Sequence, residues 1–480
     1  MTAVPSVADV APRGPSRRAV PLPRGRRSTE LAMLGFAVGI IAFAYAAAGL
    51  GLNGHMPSGL VVYVAGFAVL MGVAHLAVRR FTPWADPLML PLAALLNGLG
   101  IVMIYRLQQS GRNGNAGLSI STLTTHAALY QLMWTAVGIV AFIVVLVLIR
   151  EPRVLQRYTY TLGTIGLFLL AIPALLPASH SSINGAKVWI ILGGFSIQPG
   201  EFARIALAVF FAGYLVRKRD VLSLAGRRFL GIDLPRGRDM GPILVLWAIA
   251  MLILIFESDI GVAALFFGLF VAMLYIATQR KSWLLIGILM FVAGALLAGA
   301  IIPHVTERFT IWRHPFAPAN IQGSSYQLVQ GLEGMAFGGI FGTGLGVGQP
   351  FRTPLVQSDF IFTGLGEELG LTGLMALLLI FGLLVQRGLR AALAVRDPFA
   401  KLLAAGVSFV LALQVFIIVG GVTQLIPLTG ITTPFLSQGG SSLVASWIVI
   451  ALLMRISDTA RRPAPQPIQD EGLTQVVRAV

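Results

Sequence analysis

The sequence predicts an all-α polytopic membrane protein, and three observations carry that prediction. Hydrophobic residues make up 56% of the 480-residue chain and charged residues only 11%, with a mean hydropathy of +0.83. Apolar runs about long enough to cross a ~30 Å hydrocarbon core recur along most of the chain. Lys and Arg are concentrated in alternate connecting segments instead of being spread evenly.

Residues 1–30 are polar and rich in Pro and Arg, and read as a disordered basic cytoplasmic tail without a cleavable signal. Twelve spans follow, at 31–50, 59–78, 85–105, 127–149, 159–176, 201–216, 241–256, 260–277, 283–302, 364–386, 402–420 and 441–456. Residues 457–480 form a second short cytoplasmic tail. With the N-terminus inside, 28 of the 35 Lys and Arg residues fall on the cytoplasmic side. The net charge of +16 is therefore mainly a topology signal that can also hold anionic membrane lipid, and no nucleic-acid partner is expected. Cysteine is absent, which excludes disulfides, thiolate metal sites and cysteine nucleophiles.

The apolar block 241–277 would run ~55 Å as one helix, too long for a single crossing. It must break, and Glu257-Ser258-Asp259 supplies the break on the outer side. These two acids are its only charged residues. Carboxylates in an apolar run are costly unless they are used, although a polar hairpin tip at the membrane surface would also explain them. Eight of the nineteen acids map to the outer side: Glu201, Glu257, Asp259, Glu307, Glu333, Asp359, Glu367 and Glu368. That distribution suggests an outward-open polar cavity walled by helix ends.

Other outward motifs fit the same cavity. Residues 183–207 re-enter the apolar phase through Gln198-Pro199-Gly200-Glu201, with Arg204 three positions on and on the same helix face as Glu201. A guanidinium one turn into a span is a candidate diphosphate ligand. Lys187 and Trp189 precede it as candidates for holding a lipid headgroup. The outer loop of about 303–363 is the longest, carries Arg308, and has too much apolar and glycine content for disorder. Its run Gly342–Gly348 resembles a nucleotide loop only superficially, because no strand precedes it, and no nucleotide is expected. Its glycines are expected to allow tight packing. Ser358-Asp359-Phe360-Ile361-Phe362 and Glu367-Glu368 close the loop. Last, Pro434-Phe435-Leu436-Ser437-Gln438-Gly439-Gly440-Ser441-Ser442 interrupts an apolar tract, where broken backbone can meet an anionic ligand.

This ordered set, over about 85–456, resembles the SEDS family of cell-wall synthases, which includes RodA and FtsW. The fold implied is a ten-span core at 85–456, two added N-terminal spans within 31–84, and a long extracellular loop between core spans seven and eight. The activity implied is a peptidoglycan glycosyltransferase that polymerises lipid II outside the membrane in cell-wall elongation. It would work with a class B penicillin-binding protein in a cell-wall synthesis complex. The family's essential aspartate falls on Asp259, its acid and base after Gln-Pro on Glu201 and Arg204, and its loop arginine on Arg308. The chain departs from the family pattern at Ser258, Val262, Gly200, Arg204 and Gln438, where Pro, Thr, Ser, Lys and Tyr are usual.

The chemistry asks for a base to take the acceptor hydroxyl's proton and for positive charge on the departing diphosphate. Asp259 is the expected base, or the ligand of a divalent cation (Mg or Mn). Arg204 and Arg308 are the expected diphosphate ligands, with Glu201 orienting Arg204. Glu257, Asp359, Glu367, Ser437 and Ser441 are further candidate substrate-binding residues. A division-specific synthase, a lipid-precursor flippase and a non-catalytic scaffold are the competing readings. The flippase reading is weakened because the acids sit outside instead of at midplane and because the halves share no repeat.

Overall fold

The computed structural model describes residues 27–112, 126–182, 187–192, 195–223, 227–229, 232–234 and 260–463, with four isolated positions between 245 and 252. Ten of the described helices are long and apolar enough to cross a membrane, and Thr159–Leu175 is a shorter apolar helix. The helices are α1 (Arg27–Asn53), α2 (Leu60–Phe81), α3 (Met89–Arg112), α4 (Ala127–Leu148), the short α5 (Arg153–Arg157), α6 (Thr159–Leu175), the short α7 (Ala178–Ser181) and α8 (Pro199–Ser223). Then come α9 (Ile260–Thr278), α10 (Lys281–Ile301), α11 (Pro303–Arg313), the short α12 (Pro318–Ile321), α13 (Tyr326–Gly338), α14 (Ile361–Ala394), α15 (Pro398–Val422) and α16 (Gly440–Arg461). The predicted span 241–256 and the break at Glu257–Asp259 lie outside the described residues. Two small antiparallel hairpins, β1 (Ile190–Leu192) with β2 (Phe195–Ile197) and β3 (Arg227–Phe229) with β4 (Ile232–Leu234), sit in connections.

Periodicity explains which faces meet. In α1 the buried positions Leu34, Ala37, Ile41, Ala44, Tyr45 and Ala48 recur every three or four residues, while Phe36 and Phe43 stay exposed. One stripe packs on α3 and the other faces the surroundings, as an apolar helix at the rim of a membrane bundle should. By contrast, α8, α15 and α16 are buried over most of their length. They form the centre, with α9 and α6 against α8, α4 against α16, and α14 against α15.

One end of the bundle is stitched by charge. Glu30, fully buried, accepts from Arg27 and pairs with His75 Nδ1 at 2.8 Å. Arg27 also donates to the carbonyls of Thr82 and Ala85. Asp458 accepts from the Trp84 amide at 2.8 Å, and Asp86 pairs with Arg461. These contacts tie the first two helices and the last one to a single short connection.

The other end carries the long segment 303–363, which is structured. Helix α13 packs on α14, and the glycine run after α13 wraps around a break in α14. At that break Gly370 has φ +66, a left-handed conformation favouring glycine. The amides of Thr343 and Gly344 donate to the carbonyls of Glu367 and Glu368, and those of Leu371 and Thr372 to Gly339 and Ile340, at 2.9–3.0 Å. Four backbone groups freed by the break are thereby satisfied inside the protein. The outer end of α1 reaches the same run, since a side chain added at Gly51 would strike the Leu345 carbonyl. Gly370→Ala is expected to cost about 2–4 kcal/mol, because it adds a strained φ to a collision with the Gly342 amide. A lowered thermal-unfolding midpoint in detergent would record that loss, and an unchanged midpoint would contradict the packing.

Candidate active site

The site is built around the connection between α15 and α16, residues 423–439. Helix α8 approaches it first. Pro199 opens α8, Glu201 occupies its first turn, and Arg204 lies one turn further in. Arg204 Nη2 donates to Glu201 Oε2 at 2.6 Å, and Nη1 donates to Gln414 Oε1 at 2.7 Å. Arg204 and Glu201 are 8% and 4% exposed, so the guanidinium would be costly here without these acceptors. Gln414, on α15, passes the contact on by donating to the Thr432 carbonyl at 3.0 Å. The motif at 198–201 also touches the first turn of α16, just past the connection, since the Gln198 amide donates to Ser441 Oγ at 3.1 Å.

Ser437 holds a second set of contacts. Its Oγ accepts from the Thr433 amide at 2.7 Å and donates to the Ser358 carbonyl. The Gln438 amide donates to the Gln357 carbonyl at 2.8 Å. The segment 357–359 and the connection are therefore laced together. From the bundle interior, Gln131 donates to the Ser437 carbonyl at 3.1 Å. Behind it, Thr135, Asn97 and the fully buried Trp447 form a continuous hydrogen-bonded row. A polar row through apolar helices holds its geometry because breaking any link strands a buried group.

Arg308 and Asp359 meet at Gly430. Arg308, on α11, donates to the Leu428 carbonyl at 2.6 Å. The position a Cβ would take at Gly430 lies 3.8 Å from Arg308 Nη2 and 4.0 Å from Asp359 Oδ2. Gly430 has φ +73, so both the conformation and the space favour glycine. Burial pushes the Asp359 carboxyl up, while the Ser358 hydroxyl, at 2.8 Å, and the Arg308 charge pull it down. On the far side, Gly261 at the start of α9 abuts Thr429 and Ile431. Segments from α9, α11 and the 357–359 turn, and α8 through Gln414, thus converge on one connection.

The other sequence candidates divide. Glu367 accepts from the Gln349 amide and lines a separate cavity of about 350 Å³ with Glu333, Arg352 and Gln330. Lys187 donates to the Ala174 carbonyl at 3.2 Å and so closes the end of α6. Trp189 is held through its amide to the Ser181 carbonyl. Asp259 and Glu257 lie outside the described residues. Among the described residues no three His, Cys, Asp or Glu side chains gather where a metal ion could be held. Sequence reasoning passed over Gln414, Gln131 and Arg106 as functional positions. Arg106, 1% exposed, pairs with Glu368, also 1% exposed, and donates to the Gly348 carbonyl. For Gln414 and Gln131 the available signal was a polar residue within an apolar helix, whereas Arg106 falls just past the expected span 85–105.

The chain is similar to known proteins in sequence and in fold. Residues 86–462 match the FtsW/RodA/SpoVE family model, described as cell cycle protein. The chain is 49% identical over 443 residues to the peptidoglycan glycosyltransferase RodA of Mycobacterium tuberculosis strain H37Rv, covering 92% of each. It is 47% identical over 450 residues to that of Mycobacterium leprae, again covering 92% of each. It is 32% identical over 382 residues to stage V sporulation protein E of Bacillus subtilis, covering 78% of this chain and 98% of that protein. A solved structure on the coordination of polymerization and crosslinking by a peptidoglycan synthase complex has a chain with the same fold. Its TM-score is 0.51 at 22% identity, over 84% of this chain and 98% of that one.

Arg106→Leu leaves Glu368 buried without its partner and is expected to cost about 3–5 kcal/mol, whereas Arg106→Leu with Glu368→Leu recovers most of the loss. Thermal unfolding of the two variants in detergent checks this, and equal midpoints would contradict the pairing.

Proposed function

The chain belongs to the FtsW/RodA/SpoVE family, and from that premise we propose that it is a peptidoglycan glycosyltransferase polymerising lipid II at the outer face of the cytoplasmic membrane. Identity near one half to two glycosyltransferases named RodA, over nearly their whole length, is the observation that carries this reading. It favours the elongation role over the division role. The chain is a multi-pass membrane protein. The Lys and Arg bias supports cytoplasmic termini and puts the connection at 423–439 outside.

In the proposed reaction an acceptor sugar hydroxyl attacks the anomeric carbon of a lipid-linked saccharide. A new glycosidic C–O bond forms, the bond from that carbon to the diphosphate oxygen breaks, and the lipid diphosphate leaves with the electron pair. Asp259, two residues before Gly261, takes the hydroxyl proton. Arg308 stabilises the leaving diphosphate from beside Gly430, where a backbone without a side chain leaves room for it. Glu201 and Gln414 consume the two ends of the Arg204 fork, so Arg204 acts mainly by fixing the connection. A planar guanidinium suits that bidentate task better than the lysine usual in the family. Ser437 holds backbone within the same connection, and Ser441, at the start of α16, holds the Gln198 amide ahead of α8. Glu257 stands beside Asp259 in sequence as a second acid for the same proton. A divalent cation such as Mg or Mn would be held by Asp259 and would supply positive charge at the same proton transfer; among the described residues no group of three His, Cys, Asp or Glu side chains offers another place for it. A class B penicillin-binding protein would crosslink the strands. The peptidoglycan synthase complex among the structural neighbours suggests such a pairing.

Polymerisation of labelled lipid II by the purified full chain with its crosslinking partner tests this. Asp259→Asn is expected to lower the rate by at least about 100-fold, and Arg308→Gln by about 100-fold or more. Equal glycan from wild type and Asp259→Asn would remove Asp259 from the chemistry. No glycan from any of them with a competent partner would contradict the polymerase reading.

A further inference from the structure

At the basic end of the bundle, remote from the connection at 423–439, four arginines line one cavity of about 530 Å³. Arg80 ends α2, Arg150 follows α4, and Arg455 and Arg462 come from the last turns of α16 and just beyond. The charges are unequally compensated. Arg462 pairs with Asp458 at 2.8 Å, and Arg455 is 3.9 Å from the same carboxylate. Arg80 and Arg150 have no ion pair among the described residues, and Arg80 stacks over the Phe81 ring at 5.8 Å. Among the described residues Glu151 is the cavity's one acidic wall residue. Four guanidinium groups thus face two carboxylates.

Arg455 shows that the cavity is built rather than accidental. It is 3% exposed and donates to the carbonyls of Phe81 and Leu146, which holds the ends of α2 and α4 against α16. Its Nε is buried with no hydrogen-bond partner among the described residues, and a buried guanidinium donor left unpaired is costly. Beside the arginines the wall turns apolar at Leu146 and Val147, both on α4 and the latter exposed. An array of guanidinium groups that passes into an apolar helix face matches a phosphate joined to acyl chains. A soluble anion would have no use for the apolar half.

We propose that this cavity binds the phosphate headgroup of an anionic phospholipid of the inner leaflet, with its chains along α4. Arginine forks recognise phosphate oxygens bidentately, and basic pockets between helices at this face are suited to anionic lipids. The lipid joins the ends of α2, α4 and α16, whose protein contacts already meet at Arg455. The site stands independently of the polymerase reading.

The test is native mass spectrometry of the full chain released from bilayer nanodiscs of phosphatidylglycerol or of phosphatidylcholine. Wild type is expected to retain phosphatidylglycerol and not phosphatidylcholine. Arg80→Gln with Arg150→Gln is expected to retain about tenfold less, at an unchanged thermal midpoint, since both side chains are exposed. Arg80→Lys with Arg150→Lys keeps the charge and is expected to recover part of the retention, which separates loss of binding from loss of fold. Equal phosphatidylglycerol retention by wild type and the Gln variant would overturn the proposal. Equal retention of the two lipids by wild type would do the same. Complete displacement of the lipid by millimolar inorganic phosphate would reassign the cavity to a free anion.

Discussion

The pairing of Arg204 with Glu201 and Gln414 is the interaction on which the candidate site depends. An unpaired guanidinium a turn inside an apolar helix would cost several kcal/mol, so α8 and α15 must approach closely enough to supply its acceptors. Once they do, the amide nitrogen of Gln414 is free to hold the Thr432 carbonyl. A broken stretch of backbone, which could not stand in lipid by itself, is pinned by helices on which it does not lie. The hydrogen-bonded row from Trp447 to Gln131 pins the same stretch from the other side. Rigid support of this kind lets a site keep its electrostatic geometry without reorganising during reaction.

A second consequence concerns the glycine run at 342–348. Its amides satisfy carbonyls exposed by the break in α14, while Arg106 neutralises Glu368 immediately beside it. The first helix lies against the same run at Gly51. The α1–α2 pair is therefore mechanically joined to the outer segment at one end and, through Glu30, Arg27 and His75, to the basic end at the other. Strain applied to these helices would reach the wall that carries Glu367. Packed, hydrogen-bonded elements transmit displacement because they deform little internally.

Much of this was legible in the sequence, for identifiable reasons. Hydropathy located the described spans, because a membrane bundle must place its backbone in helices. But α3, α8 and α14 run on past the expected ends at 105, 216 and 386 to Arg112, Ser223 and Ala394, where polar residues extend the helix beyond its apolar stretch. The Glu201–Arg204 pair followed from helical spacing, and the structured outer segment from its apolar and glycine content. Gln414 and Gln131 each stand out as a polar residue in an apolar helix, but their roles were illegible because each serves a partner far away along the chain. Nothing local distinguishes them from a side chain bonded to its own helix. Lys187 read as a headgroup ligand from its position, while the structure ties it to the Ala174 carbonyl, a contact that depends on where the chain folds back. Arg106 and Glu368 were each visible as charged residues, but their pairing across 262 positions was not.

The central claim is that segments from α8, α9, α11 and the turn at 357–359 form one substrate site around the connection at 423–439. The most direct measurement is photo-crosslinking with a lipid II analogue carrying a photoreactive group on the sugar next to its diphosphate, followed by peptide mapping of the adducts. The account predicts adducts concentrated in the connection at 423–439 and in α11 around Arg308, and displaced by unlabelled lipid II. Displaceable adducts confined to the Glu333–Glu367 cavity or to the basic end, with none on the connection, would contradict it.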